Sequence, residues 1–183
     1  MSFNLPDDYD VPTSNGGYMK FTKGDNVFRI LDDPILGWEG WVETPDGKEP
    51  KRFPMDEKPE DTSDFRDGIQ HFWAMPVWNY DDEEIQILEI TQATIQRAIK
   101  GYHADEDWGD PTEYDIKVTR EGDGLETSYQ VSPKPHSELS DEVQTAWEAA
   151  DVNLDALFDG GDPFGAETAD ESGELAEEDI PFG

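Results

Sequence analysis

The sequence predicts a mainly β fold, an OB-type Greek-key barrel with one inserted helix, followed by a C-terminal amphipathic helix and a disordered acidic tail. Three observations carry this expectation. Seven short runs rich in β-favouring residues are separated by turn signals. A single helical period interrupts them, between the fifth run and the sixth. All thirteen basic residues lie between Lys20 and Lys134, whereas residues 138–183 hold fifteen acids and no Lys or Arg. Strands, one helix, then a closing hairpin is the order of a small OB-type barrel, although a β-sandwich or another small barrel gives a similar string.

Residues 1–17 mix Asp, Pro, Asn and Gly without periodicity, which predicts a disordered arm. Residues 18–135 form the expected barrel, with strands over Asn26–Leu31, Ile35–Glu43, Glu49–Phe53, Gln70–Tyr80, Ile85–Ile90, Tyr114–Arg120 and Leu125–Val131. Pro45-Asp46-Gly47 and Gly122-Asp123-Gly124 are hairpin turns. In Thr91–Tyr102, residues Ile95, Ala98, Ile99 and Tyr102 line one helix face, and Gly101 marks the expected end. Residues 136–158 predict a helix or helix pair capped by Ser140, with Asp141 and Glu142 in its first turn and Trp147 docked on the barrel. From Asp159 to Gly183, Gly, Asp, Glu and Ala dominate and predict a disordered tail.

The formal charge of −32 argues on its face against nucleic acid, because phosphate binding draws on Lys and Arg displacing counterions. The acids are not spread evenly, however. Asp56 to Asp67 holds six, Asp81 to Glu84 four and Asp105 to Asp110 four, all in expected turns. The strands between these turns are nearly balanced, which leaves room for a locally positive face. With no Cys and three scattered His, neither a disulfide nor a metal site is expected, and no cofactor is implied. No catalytic constellation stands out. No signal-peptide pattern and no long apolar run is seen, so an intracellular protein away from membranes is expected.

Aromatic residues interleave with the few cations of the barrel, and this pairing suits a single strand of nucleic acid. Each base offers a π face worth about 1–3 kcal/mol on an aromatic side chain, while Lys and Arg track the phosphates. Lys20, Lys23, Arg29, Lys51, Arg52 and Lys117 are the candidate phosphate contacts. Trp41, Phe53, Trp73, Trp78 and Tyr80 are the candidate stacking residues. Along Phe72 to Tyr80 alternation places Phe72, Ala74, Pro76, Trp78 and Tyr80 on one face and Trp73, Met75, Val77 and Asn79 on the other. One of these faces is expected to be core and the other wet; each carries a Trp, so alternation does not choose.

Several motifs together resemble phage-encoded single-stranded DNA-binding proteins. They are His71-Phe72-Trp73-Ala74-Met75-Pro76-Val77-Trp78-Asn79-Tyr80, the Ile85–Ile90 strand with Thr91-Gln92, Asp107-Trp108-Gly109-Asp110-Pro111 before Tyr114-Asp115-Ile116, and Gly124 to Val131. The ending Glu177-Glu178-Asp179-Ile180-Pro181-Phe182 is similar to the acidic tips of bacterial single-stranded DNA-binding proteins, which partner enzymes grip; here Gly183 follows the Phe. The resemblance implies an OB-fold protein that coats and protects exposed single-stranded DNA in phage replication or recombination. It also implies recruitment of replication or recombination enzymes through the tip. Lacking Cys, the chain does not share the zinc site of the T-even phage relatives. An acidic nucleic-acid mimic that blocks a DNA-binding enzyme is the alternative, disfavoured by the Lys51-Arg52-Phe53 cluster. The tail repeats part of its own tip, since Asp162-Pro163-Phe164-Gly165 shares Pro-Phe-Gly with residues 181–183.

Overall fold

The structure, a computed structural model, describes residues 17–164. The expected arm up to residue 16 and the tail from residue 165, with its tip Glu177, Glu178, Asp179, Ile180, Pro181 and Phe182, lie outside the described residues. The chain is mainly β, with seven antiparallel strands in one sheet: β1 (Gly24–Ile30), β2 (Ile35–Thr44), β3 (Gly47–Pro54), β4 (Arg66–Asn79), β5 (Glu84–Ile90), β6 (Tyr114–Glu121) and β7 (Ser128–His136). Helix α1 (Ala93–Ala104) separates β5 from β6, and α2 (Asp141–Ala149) with a 3-10 turn (Leu154–Asp159) follows β7. Along the sheet the order is β3-β2-β4-β1-β6-β7, with β5 on β4.

Strand β4 is 14 residues long because it serves three neighbours. Its first part pairs with β2, from Trp41↔Arg66 to Ile35↔Ala74. Its last part pairs with β1 over Val77 to Asn79 and with β5 over Trp73 to Asn79. Consequently β4 divides the interior. Met75 and Val77 join Phe28, Ile30, Leu88, Ile90, Ile95, Ile99, Tyr114, Ile116 and Val118 in one cluster. Phe72 and Ala74 join Ile87 and Leu157 in a second. The expectation that only one face of Phe72–Tyr80 is core is therefore corrected: every residue from Ala74 to Asn79 is buried, as befits a strand packed on both sides.

The β2–β3 hairpin turns where expected. Thr44 pairs with Gly47, whose φ of +124° suits a residue without Cβ, and the Thr44 hydroxyl donates to the Gly47 carbonyl at 2.8 Å. Helix α1 buries Ile95 and Ile99, and Gln96 donates to the Ile90 carbonyl at 2.9 Å, which joins the helix to the end of β5. Gly101 does not end α1, which runs on to Ala104 and closes with the Asp105 N–H on the Tyr102 carbonyl. Strand β7 begins at Ser128 rather than Leu125, because Gly124–Glu126 forms a 3-10 turn that leaves Leu125 in solvent.

Ser140 caps α2, its hydroxyl accepting from the Val143 N–H at 3.3 Å. The buried anchor of α2 is Val143, while the expected anchor Trp147 is half-buried. The packed fold also passes the expected tail boundary at Asp159. Pro163 is buried, its carbonyl accepting from the Asn153 N–H at 2.8 Å, and Phe164 packs on the second cluster. At the other end of the described chain, Gly17 to Met19 runs beside β5: the Met19 N–H donates to the Ile87 carbonyl at 2.9 Å and the Ile87 N–H to that of Gly17 at 2.7 Å.

Candidate nucleic-acid interface

A groove of about 810 Å³ opens between the β2–β3 hairpin, the Tyr18–Phe21 segment beside β5, and the β6–β7 pair. Its walls carry Lys20, Lys51, Arg52 and Arg120 against Glu49, Glu89 and Asp159, a nearly balanced lining on a chain of net charge −32. Trp41, Phe21, Tyr18 and Tyr129 supply aromatic surface to the same groove. Trp41 is among the most exposed large hydrophobic side chains, at 38 %. A bulge in the β2–β4 register between Gly40 and Trp41 marks where β2 turns it outward. Of these rings Trp41 alone is exposed; Phe21 and Tyr129 are half-buried against the first cluster and Tyr18 against the second. Cations beside an exposed ring in one concavity can hold phosphate and stack a base together.

Of the residues anticipated from sequence, the groove gathers Lys20, Trp41, Lys51 and Arg52. Arg52 lies at its base, where its Nε donates to Glu89 at 2.7 Å and to Glu39 at 3.1 Å. These contacts bring β3 up to β5, which no backbone pairing joins. Burial, reinforced by the hydrogen bond and charge of Glu89, pushes the Glu39 carboxyl up from 4.5 to about 8 even with Arg52 beside it. Burial pulls the Arg52 guanidinium down, but Glu89 and Glu39 outweigh it and the pKa is raised. Burial likewise raises the Tyr18 phenol.

The other anticipated residues lie elsewhere. Arg29 is 1 % exposed and has an internal role: Nε donates to Asp115 at 2.8 Å, Nη1 to the Thr112 carbonyl, and Nη2 to the carbonyl and hydroxyl of Ser137. Placing it on phosphate from sequence is corrected, because strand pairing on both edges of β1 turns this side chain into the fold. Tyr80 donates to the same Asp115 at 2.8 Å, and burial together with that carboxylate pushes its phenol up to about 12. Trp78 is buried. Trp73 packs on the first cluster and borders a separate apolar cavity with Leu36, Met75 and Ile99. Phe53 meets Phe65 edge-on at 5.9 Å and borders the cavity next to the groove. Lys23 reaches Asp123 at 3.3 Å in solvent, and Lys117, half-buried on β6, is outside the lining.

Sequence reasoning missed Phe21, Arg120 and Tyr129. Two signals point to them. Phe21 adjoins Lys20, the same cation–aromatic adjacency that singled out Arg52 and Phe53. Arg120 and Tyr129 face each other across the β6–β7 register, which the hairpin glycines Gly122 and Gly124 define. Among the described residues no group of three or more His, Asp or Glu converges on a possible metal position, and no helix is long and apolar enough to cross a membrane. The chain matches no family model, no curated protein and no solved structure.

Proposed function

We propose that this chain is a sequence-tolerant single-stranded DNA-binding protein of phage type, which coats and protects exposed strands in replication or recombination. The observation that carries the reading is the groove, where Lys20, Lys51 and Arg120 meet Trp41, Phe21 and Tyr129 on an otherwise acidic molecule. In this reading β1, β4, β5, β6 and β7 are the five strands of an OB-type barrel, α1 is its inserted helix, and the β2–β3 hairpin is an enlarged first connection. Oligonucleotides bind OB folds on the face of the second and third barrel strands, between the first and last connections. In this reading the groove takes that position, lined by Leu88 and Glu89 of β5, by the β2–β3 hairpin residues Trp41 and Glu49 to Arg52, and by Arg120 and Tyr129.

The acidic tail, from residue 165 to the tip, recruits replication or recombination enzymes and competes with DNA for the groove cations. Its point of departure supports this: Asp159, Gly160 and Gly161 line the groove only a few residues before Phe164. An electrophoretic shift with oligo(dT) tests the function. A shift at about 50 mM salt that weakens at about 200 mM is expected; no shift at the lower salt overturns the reading and favours the acidic mimic.

A further inference from the structure

We infer that the chain carries a contact for a second copy of itself, in which Leu125 of one molecule enters the apolar cavity between β2, β4 and α1 of the next. The contact needs no ligand, while its use, a row of neighbours along one strand, rests on the single-stranded DNA reading. Neither surface belongs to the groove. Leu125 is fully exposed, whereas the next most exposed large apolar side chain, Met55, reaches 48 %. A closed turn presents it: the Glu126 N–H donates to the Asp123 carbonyl at 3.0 Å and the Thr127 N–H to that of Gly124 at 3.2 Å, and a Cβ on Gly122 would collide with the Glu126 carbonyl. The leucine is thus a fixed apolar knob at the tip of the β6–β7 hairpin.

The hole that suits it is the cavity of about 430 Å³ lined by Ile30, Leu36, Trp73, Met75 and Ile99, where Leu36 is 41 % exposed. Charge selects the guest. Helix α1 has no acid, and Arg97, Lys100 and His103 follow one another at three-residue spacing along one exposed row, the last two at the mouth of the cavity. Leu125 is flanked by Glu121 and Glu126, with Asp123 beside them paired to Lys23 at 3.3 Å. An apolar knob among acids therefore meets an apolar hole beside cations. Asp32, Asp33 and Asp110 also line the cavity and repel those acids, which confines the approach to the α1 side.

Position makes the contact repeat. The knob follows the end of β6 at which Arg120 pairs with Gly24, whereas Ile30, Pro111 and Thr112 place the hole beyond the other end of the β1–β6 ladder, past Arg29↔Asp115. The eight residues of β6 put about 27 Å between them. Knob and hole are different surfaces at opposite ends of one molecule, so the contact is heterologous and continues from copy to copy instead of closing a twofold pair. One buried leucine gives roughly a ten- to hundredfold preference for a neighbour. Such a contact acts between copies that share a strand rather than in dilute solution.

The test compares the full chain with Leu125→Ser, a change in solvent, on an oligo(dT) that holds one copy and on long poly(dT). Leu125→Ser is expected to bind the short strand as the wild type does and the long strand roughly tenfold or more weakly, without cooperativity. Wild-type behaviour on the long strand overturns the contact, and so does equal loss on both strands, which marks Leu125 as a DNA contact. A second arm uses no DNA. Because the chain has no Cys, Asp33→Cys near the hole and Glu126→Cys beside the knob are the only thiols when combined, and they lie too far apart to close within one molecule. Mild oxidation of the double variant is expected to give a ladder of multimers, and either single variant to stay largely monomeric. A monomeric double variant, or single variants that cross-link as readily, overturns the contact. If the wild type binds neither strand, the DNA reading fails and the cross-linking arm still decides the contact.

Discussion

Glu39, Arg52 and Glu89 show how a charge cluster can be placed beside a groove. One guanidinium serves two carboxylates, and Glu39 keeps its proton up to about pH 8. Its ordinary value is 4.5, so between about pH 4.5 and 8 the folded chain holds a proton that the unfolded chain has released. The contribution of Glu39 to stability therefore falls as pH rises through that window and is constant above it. Glu39→Gln, which resembles the protonated acid, is expected to melt several degrees above the wild type at pH 8 and to converge with it near pH 4.5. A melting difference that does not change with pH contradicts this assignment. At the residue scale the sequence is informative about type but not about partners. Lys51-Arg52 is visible as an adjacent cation pair, whereas the internal role of Arg29 depends on neighbours 83 to 108 positions away.

Two glycines make opposite predictions about the elements that contain them. A Cβ on Gly37 of β2 would run into the Phe53 carbonyl and come within 3.0 Å of the Phe72 ring and 3.2 Å of the Phe158 ring. Gly37→Ala is therefore expected to cost about 1–3 kcal/mol by forcing β3 and the 3-10 turn off β2. Gly101 lies inside α1 with nothing within 4 Å of a Cβ, so Gly101→Ala is expected to stabilise by about 0.5–1 kcal/mol through helix propensity. Chemical denaturation of both variants checks the signs, and a stabilised Gly37→Ala contradicts the packing described. Elements of this kind were largely legible. The hairpin at Pro45-Asp46-Gly47, the helix carrying Ile95 and Ile99 and the Ser140 cap follow from local spacing and turn chemistry. The two-sided burial of β4 was not legible, because alternation assumes one wet face and does not reveal that a strand separates two clusters. The candidate site was half legible for a similar reason: composition found Lys20, Trp41, Lys51 and Arg52, but only the sheet brings Arg120 and Tyr129 to them.

At the scale of the whole molecule, charge is segregated. The cations are confined to the folded region, and residues 138–183 add fifteen acids without a base. The fold extends through Phe164, so a chain ending there keeps Pro163 and Phe164 in place while losing the acidic remainder. Removal of residues 165–183 is expected to tighten oligo(dT) binding at low salt and to leave high-salt binding little changed, since screening already weakens the competition there. Equal affinity with and without the tail at low salt contradicts competition for the groove. That an acidic chain binds single-stranded DNA through a few groove cations and the exposed Trp41 ring is tested by an equilibrium titration of oligo(dT) across salt, followed by tryptophan fluorescence. Quenching on binding is expected, with Trp41 contributing, and a slope of roughly −2 to −3, the value for three or four phosphates at about −0.7 each. Absence of both binding and quenching at about 50 mM salt contradicts it.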